Sequence, residues 1–429
     1  MKIRLAAVWD ALRTGYWFVP SLMMVAALGL AWSTLQVDQR WAELTAKVGF
    51  FAGTPSGARS ILSGVAAAMI TIAGLTFSIT IVAITVASQQ YGARLLRTFM
   101  RDLTNQFVLG AFVAIFLYCL LVLGAIRSED PRGYVPDLSV TLSVAFAVLG
   151  LGVLIYFIHH LSSSIDAAHL ISVVGTEIDA NVDALFPERL GEELEVAPAE
   201  LPRGPGAGVF ANASGYVQAI DEDTLLEAAG RHDAVIRLER RPGDLCIEGT
   251  RIATVWPGND EALARSINES LVLGNQRTAL QDVEFSIDQL VMIAVRALSP
   301  GVNDPFTAML CIDRLTISLA RLARRCMPRA ERSDQRGALR VIARPWMFPA
   351  ALDAAFNQIR QHGCANTAVT LRLLESLAVL ATRVRRPLDR AAVLRQTDLI
   401  ERGYASTASQ PEDRADVRER ALRVRRALS

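Results

Sequence analysis

This sequence is poorest in the signatures of chemistry. It contains no G-x-x-x-x-G-K-[ST], no G-x-S-x-G and no H-E-x-x-H, so phosphate-loop, hydrolase-elbow and zinc-protease chemistry have no motif to rest on. No catalytic activity and no cofactor are expected. A surplus of one charge is missing too. The net charge is +1, which excludes the strongly basic field that draws nucleic acid. Cysteines are few: Cys119, Cys246, Cys311, Cys326 and Cys364 form no C-x-x-C pair. That scatter favours reduced thiols and a cytosolic soluble part over a disulfide or zinc framework.

The most telling absence is of charge along the chain. Residues 60–93, between Arg59 and Arg94, hold no Asp, Glu, Lys, Arg or His. A helix crosses the apolar core of a bilayer with about 20 residues. Three more uncharged runs lie nearby, at 15–37, 103–126 and 138–158. Backbone groups in lipid must bond within their own segment, so these runs are expected as helices. Tyr16, Trp17, Trp32 and Trp41 mark the interfaces of the first span. Pro20 sits in its first turn, where a missing N–H costs little. No small-residue cleavage site clearly follows this run, so it is expected to stay as an anchor. Lys2, Arg4 and Arg13 precede span one, and Arg94, Arg97 and Arg101 follow span two. The positive-inside rule then puts both termini in the cytoplasm.

Span two carries small or hydroxyl residues at a recurring spacing: Gly64, Ala67, Thr71, Gly74, Ser78, then Thr85, Ser88 and Gly92, with Ile81 filling the gap. A step near 3.5 keeps them on one helical stripe. Ile70, Phe77, Ile84 and Tyr91 form a separate bulky series. The stripe has two readings. It lets helices pack closely, or it lines a pore in an oligomer. Packing is the favoured account of any single residue.

Beyond the spans, Leu161, Ile165, Ala168, Ile171, Val174, Ile178, Val182 and Leu185 follow helical steps that end before Pro187. Residues 196–208 are rich in Pro, Gly and Ala and read as a linker. Short β-type runs follow at 215–220, 234–238 and 251–256, with turn signals at Arg241-Pro-Gly-Asp244 and Glu248-Gly249. They suggest a small β-barrel. Their order resembles biotinyl/lipoyl-type barrel-sandwich domains, without a modifiable Lys at a hairpin tip. Helical periodicity returns at 260–273, 285–298, 305–327, 349–362, 365–383 and 388–402. The charged tail after 411 reads as a solvated helix.

Two constellations remain. In Leu298-Ser-Pro-Gly-Val-Asn-Asp-Pro-Phe-Thr-Ala308, Ser299-Pro300-Gly301 ends one helix, and Asn303 or Asp304 caps the next, with Pro305 at its first position. Capping explains the motif. A ligand site built from Asn303, Asp304 and Thr307 is the alternative. His159, His160, Asp166 and His169 follow span four. Adjacent helical residues point about 100° apart, so polar decoration is preferred here and no metal is expected.

The stretch from Arg101-Asp102 to Tyr118 and two further segments carry a family resemblance. One is Leu75-Thr-Phe-Ser-Ile-Thr-Ile-Val-Ala-Ile-Thr-Val-Ala-Ser-Gln-Gln-Tyr-Gly-Ala-Arg-Leu-Leu96. The other is Arg296-Ala-Leu-Ser-Pro-Gly-Val-Asn-Asp-Pro-Phe-Thr-Ala308. The chain resembles a bacterial family of predicted membrane proteins of unknown function, domain of unknown function 2254. Gly92-Ala93-Arg94 stands where relatives often have Ser-Pro-Arg. The resemblance implies the architecture and a bacterial inner-membrane location, and brings no activity or catalytic residues.

The expected fold class is a mainly α integral membrane protein, four transmembrane helices followed by a cytoplasmic α+β region. Its parts are a membrane domain at 1–160, a helical extension at 161–187 and a linker at 188–208. A small β-barrel follows at 209–257, then a helical domain at 258–402 and a tail at 403–429. The expected partners are the lipid bilayer and further copies of the chain, with the ligand open. The leading functional expectation is an oligomeric channel-like or transport-related protein. The alternative is a membrane-anchored sensor or scaffold that binds a ligand or protein through its cytoplasmic part.

Overall fold

The computed structural model describes residues 17–40, 54–91, 102–127, 134–164, 166–186, 204–258, 260–407 and 410–429. The chain divides into two compact units, 1–166 and 167–429. The basic residues that set the expected topology, and most of the 188–208 linker, lie outside the described residues.

The first unit holds α1 (Phe18–Arg40), α2 (Pro55–Tyr91), α3 (Leu103–Ala125) and α4 (Asp137–Ser164). All four are long and apolar enough to cross a membrane. α3 packs against each of the others. One cluster joins Ala31, Leu62, Ala66, Tyr118 and Val140 from all four helices. A second joins Met69, Ala73, Phe112 and Phe157. α2 runs 37 residues, about 55 Å at 1.5 Å per residue, against a bilayer core of about 30 Å.

One end of this unit is tied by a buried carboxylate. Asp38 of α1 is 2% exposed. It accepts from the Leu138 N–H at 3.1 Å, the Ser139 N–H at 3.0 Å and the Ser139 hydroxyl at 2.7 Å. Those N–H groups belong to the first turn of α4, which lacks partners in its own helix, and its dipole favours a negative charge there. Tyr118 of α3 joins the network by donating to the Ser139 carbonyl at 3.4 Å, and its hydroxyl also meets Thr34 of α1 at 3.1 Å. Arg59 of α2 donates to the Ile126 carbonyl just past α3, at 2.8 Å.

The second unit begins with α5 (Ala167–Leu185). Ile171, Val174, Ile178 and Val182 are its buried stripe, on the periodicity read from sequence. α5 packs on α8 (Val283–Ala297) and α9 (Pro305–Ala323). Asp179 accepts from Arg314 at 2.6 Å and from the Ser318 hydroxyl at 2.7 Å. Asp183 pairs with Arg321 and Arg325. Gly175 makes room for this clasp, because a Cβ there would overlap the Arg314 side chain. Helices α10 (Phe348–Gly363), α11 (Thr367–Ala381), α12 (Pro387–Ala405) and α13 (Pro411–Leu428) complete the helical part.

The strands are β1 (Ala207–Phe210), β2 (Gly215–Ile220), β3 (Val235–Leu238), β4 (Leu245–Cys246), β5 (Arg251–Trp256), β6 (Leu271–Gly274), β7 (Glu331–Ser333) and β8 (Leu339–Ile342). They correct the expected small β-barrel at 209–257: no sheet closes. One sheet has the order β1-β5-β3-β8-β7 and the other β4-β2-β6. β3 is paired by β8, in parallel, through Ile236 with Val341. β2 is paired by β6. Strands from later in the chain thus satisfy the backbone groups that a closing barrel would have used. The helix expected over 260–273 stops at Ser270, where β6 begins. α6 (Glu222–Arg231) and α7 (Glu261–Ser270) cover the strands with Leu225, Ala228, Leu263 and Ile267.

Asp38→Ala should lower the stability of the detergent-solubilised protein by about 2–3 kcal/mol, the scale of losing hydrogen bonds to a charged group. Thermal unfolding followed by circular dichroism measures it. An unchanged melting temperature would show that the α1–α4 tie is not structural.

Candidate functional site

In the isolated chain Gly64, Thr71, Gly74, Ser78 and Thr85 are all exposed on α2. The Ser88 side chain lies outside the described residues. A Cβ added at Gly64 or Gly74 would meet nothing within 4 Å. The Thr71 and Thr85 hydroxyls donate to the carbonyls of Ala67 and Ile81 of their own helix, at 2.7 and 2.8 Å. The face that packs within the chain is a neighbouring one: Ala58, Leu62, Ala66, Met69, Ala73, Thr80, Ala83 and Ala87. Both faces keep a step near 3.5, so spacing alone did not separate them. Ile70 and Phe77 of the bulky series are exposed as well.

The 298–308 turn is built as a helix junction. The Asp304 N–H donates to the Ala297 carbonyl at 2.8 Å, and the Asn303 N–H to Ser299 at 2.9 Å. Asn303 has φ of 48°, a left-handed conformation that Asn tolerates better than most residues. Asp304 caps α9, accepting from the Thr307 N–H at 3.1 Å and the Thr307 hydroxyl at 2.5 Å. Asn303, Asp304 and Thr307 are therefore brought together. Their hydrogen bonds close on the junction itself.

His160 meets Asp102, the N-cap of α3, at 2.6 Å and stacks on Tyr156 with centroids 6.0 Å apart. No group of three or more His, Cys, Asp or Glu with metal-binding spacing occurs among the described residues.

A cavity of about 600 Å³ lies in the second unit, between the end of α5, the start of α6, the loop after β3, the entry to α8, and β7–β8. Arg240, Arg241 and Pro242, at the entry to the Arg241-Pro-Gly-Asp244 turn, form one wall. Gly243 has φ of 93°, and a Cβ there would sit 2.4 Å from Asp282. Glu284 accepts from Arg241 and from the Trp346 indole N–H, each at 2.9 Å, and so fixes a cation and an aromatic wall together. Asp282 caps α8 through the Phe285 N–H and holds Arg277 with two bonds, at 2.8 and 3.1 Å. Burial opposes the Arg277 charge, but Asp282, Asp288 and Glu284 keep its pKa above the ordinary value. Leu225, Leu226, Leu238, Val341 and Phe186 supply apolar lining.

Arg240 also lines this cavity. Its Nε is buried without a hydrogen-bond partner, and it makes no ion pair among the described residues. The sequence marked only the turn beside it. Trp346, in the Arg344-Pro345-Trp346 loop after β8, was not singled out. A second concavity, at the C-terminal ends of α9 and α11, is lined by six arginines, among them Arg324, Arg383 and Arg385. It is an open surface at the negative ends of two helix dipoles, which oppose a bound anion.

The family model described as Predicted membrane protein (DUF2254) matches residues 13–379. The chain belongs to this family. An uncharacterized protein of Mycobacterium bovis is 32% identical over 435 residues, covering 99% of this chain and 82% of that protein. Uncharacterized proteins of two Mycobacterium tuberculosis strains are 32% and 33% identical with the same coverage. No solved structure matches the chain. The DUF2254 match spans the four apolar helices, the cavity and the 298–308 junction.

In this DUF2254 chain the Thr307 hydroxyl and N–H hold the Asp304 carboxyl below the usual Asp value. A lowered folded-state pKa stabilises the fold above the unfolded value of about 3.9 and loses that contribution as pH falls through the lowered value. Asp304→Ala should therefore cost about 1 kcal/mol near neutral pH, with the difference from wild type shrinking in acid. Asp304→Asn, itself a good cap, should cost little. Unfolding curves across pH measure both, and an undiminished gap at low pH would contradict the charged cap.

Proposed function

We propose that this protein is a membrane-anchored sensor, a binding module and not an enzyme, with its four-span anchor in the bacterial inner membrane. Both termini and the second unit face the cytoplasm. The observation that carries this reading is the cavity of about 600 Å³. Small-molecule sites are concave and largely apolar, with a few fixed polar groups, and typically measure about 300–1,000 Å³. Glu284 pre-positions Arg241 and Trp346 before any ligand arrives, which reduces the ordering cost of binding. The cytoplasmic placement is supported by the basic residues Arg94, Arg97 and Arg101 after span two.

A panel of small metabolites should contain one chemical class that raises the melting temperature by a few degrees. Leu226→Trp, which fills the cavity from its apolar wall, should remove that gain. Ala343→Cys, on the same lining, should react with an impermeant maleimide in inside-out vesicles and not in right-side-out ones. A flat panel would sink the sensor reading, and labelling from the outside face would sink the topology.

The second reading is a channel-like or transport-related homo-oligomer with the α2 stripe at its centre. The open space at Gly64 and Gly74 favours it. The Thr71 and Thr85 hydroxyls are already satisfied by their own helix, so a water-filled path is not required by them. Gly74→Leu should leave the fold of the single chain intact, because no neighbour is met there. If copies pack on this stripe, the same change should shift the oligomer to smaller species by light scattering in detergent. An unchanged oligomer would remove the stripe from any interface.

A further inference from the structure

We propose that the cavity of the second unit is a site for a phosphate monoester with a planar ring, of nucleoside monophosphate class. This rests on the sensor reading and names its ligand. Five arginines line the cavity, Arg240, Arg241, Arg329, Arg332 and Arg344, against three carboxylates, Glu222, Asp282 and Glu331. With Glu284 and Asp244 on Arg241 and Glu222 on Arg332, the lining charges without an ion pair among the described residues include Arg240 and Arg344, which suits an anion and disfavours a cation.

The arginines are not equivalent. Arg241 is neutralised by Glu284 and Asp244. Arg332 pairs with Glu222. Asp282 is likewise spent on Arg277. Arg344 donates only to the Glu239 carbonyl, at 3.0 Å, and makes no ion pair among the described residues. Arg240 is half-buried, has no ion pair among the described residues, and keeps a buried Nε–H without an acceptor. An unmatched buried donor is costly to a fold, and an unpaired half-buried cation more so. A phosphate in the cavity that Arg240 lines answers the second cost, because a guanidinium offers paired N–H donors to two phosphate oxygens.

The remainder of the lining selects the body of the ligand. The Trp346 and Phe186 rings lie 6.4 Å apart, tilted by 51°, and Leu225, Leu226 and Val341 add aliphatic surface. An inorganic ion would leave that surface unused. A planar base attached to a phosphate covers it.

The experiment is isothermal titration of the full-length protein in detergent with AMP, GMP, CMP and UMP. Adenosine, guanosine and inorganic phosphate are the controls. At least one nucleotide should bind more than tenfold tighter than its nucleoside and than phosphate, and added salt should weaken it. Arg240→Gln should weaken that nucleotide at least tenfold, and Arg240→Lys less. Arg336→Gln, on an exposed turn outside the cavity, should change nothing. Without ligand, Arg240→Gln should melt no lower than wild type, because it removes an unmatched cation; this keeps a binding loss separate from misfolding.

Nucleoside and nucleotide binding equally, with Leu226→Trp abolishing both, would overturn the phosphate assignment and leave the sensor reading intact. The same holds if only another class of the metabolite panel binds. Phosphate binding as well as any nucleotide would overturn the ring assignment. Silence from every compound would defeat both. Undiminished nucleotide binding by Arg240→Gln would remove Arg240 from the site.

Discussion

The constraint on which the first unit depends is that lipid offers the backbone no hydrogen-bond partner. Four uncharged runs answer it by folding as helices α1 to α4. Helix ends remain the weak points, since their first N–H groups and last carbonyls are unmet. Asp38 meets the start of α4, and Arg59 meets the carbonyl just past α3. Both are side chains from a different helix. The same contacts that satisfy the ends therefore also hold the bundle together.

In the second unit carboxylates do comparable work in water. Asp179 and Asp183 clamp α5 to α9. Asp282 and Glu284 tie the entry of α8 to Arg277, Arg241 and Trp346. Half-buried ion pairs of this kind add little net stability, but they specify one arrangement of loops. The cavity exists because these loops are held apart while β8 docks on β3. Arg240, like Arg344, makes no ion pair with these carboxylates among the described residues, and its buried Nε has no acceptor.

Much of the architecture was legible locally. Ile171, Val174, Ile178 and Val182 were expected as a packing seam and are buried. Asp304 was expected to cap α9 and does. The barrel was not legible, because the partners of β2 and β3 are β6 and β8, and β8 lies about a hundred residues beyond β3 in the chain. Leu271-Val-Leu-Gly274 reads as helix locally and forms β6 for a related reason: a short apolar run has no period of its own. On α2 two small-residue stripes share one spacing. Only packing shows that Ala66 and Ala73 face the bundle while Gly64 and Gly74 do not.

By itself the sequence determined the spans, most of the helices and the cap at Asp304. Each depends on near neighbours: a charge-free run, a 3.6-residue period, or a carboxylate three residues before an N–H. Tertiary structure alone decided which face of α2 is covered, where the sheets end, and that Arg240, Trp346 and Leu226 border one cavity. Those outcomes depend on contacts between residues tens to hundreds of positions apart, and a chain read locally contains no term for them.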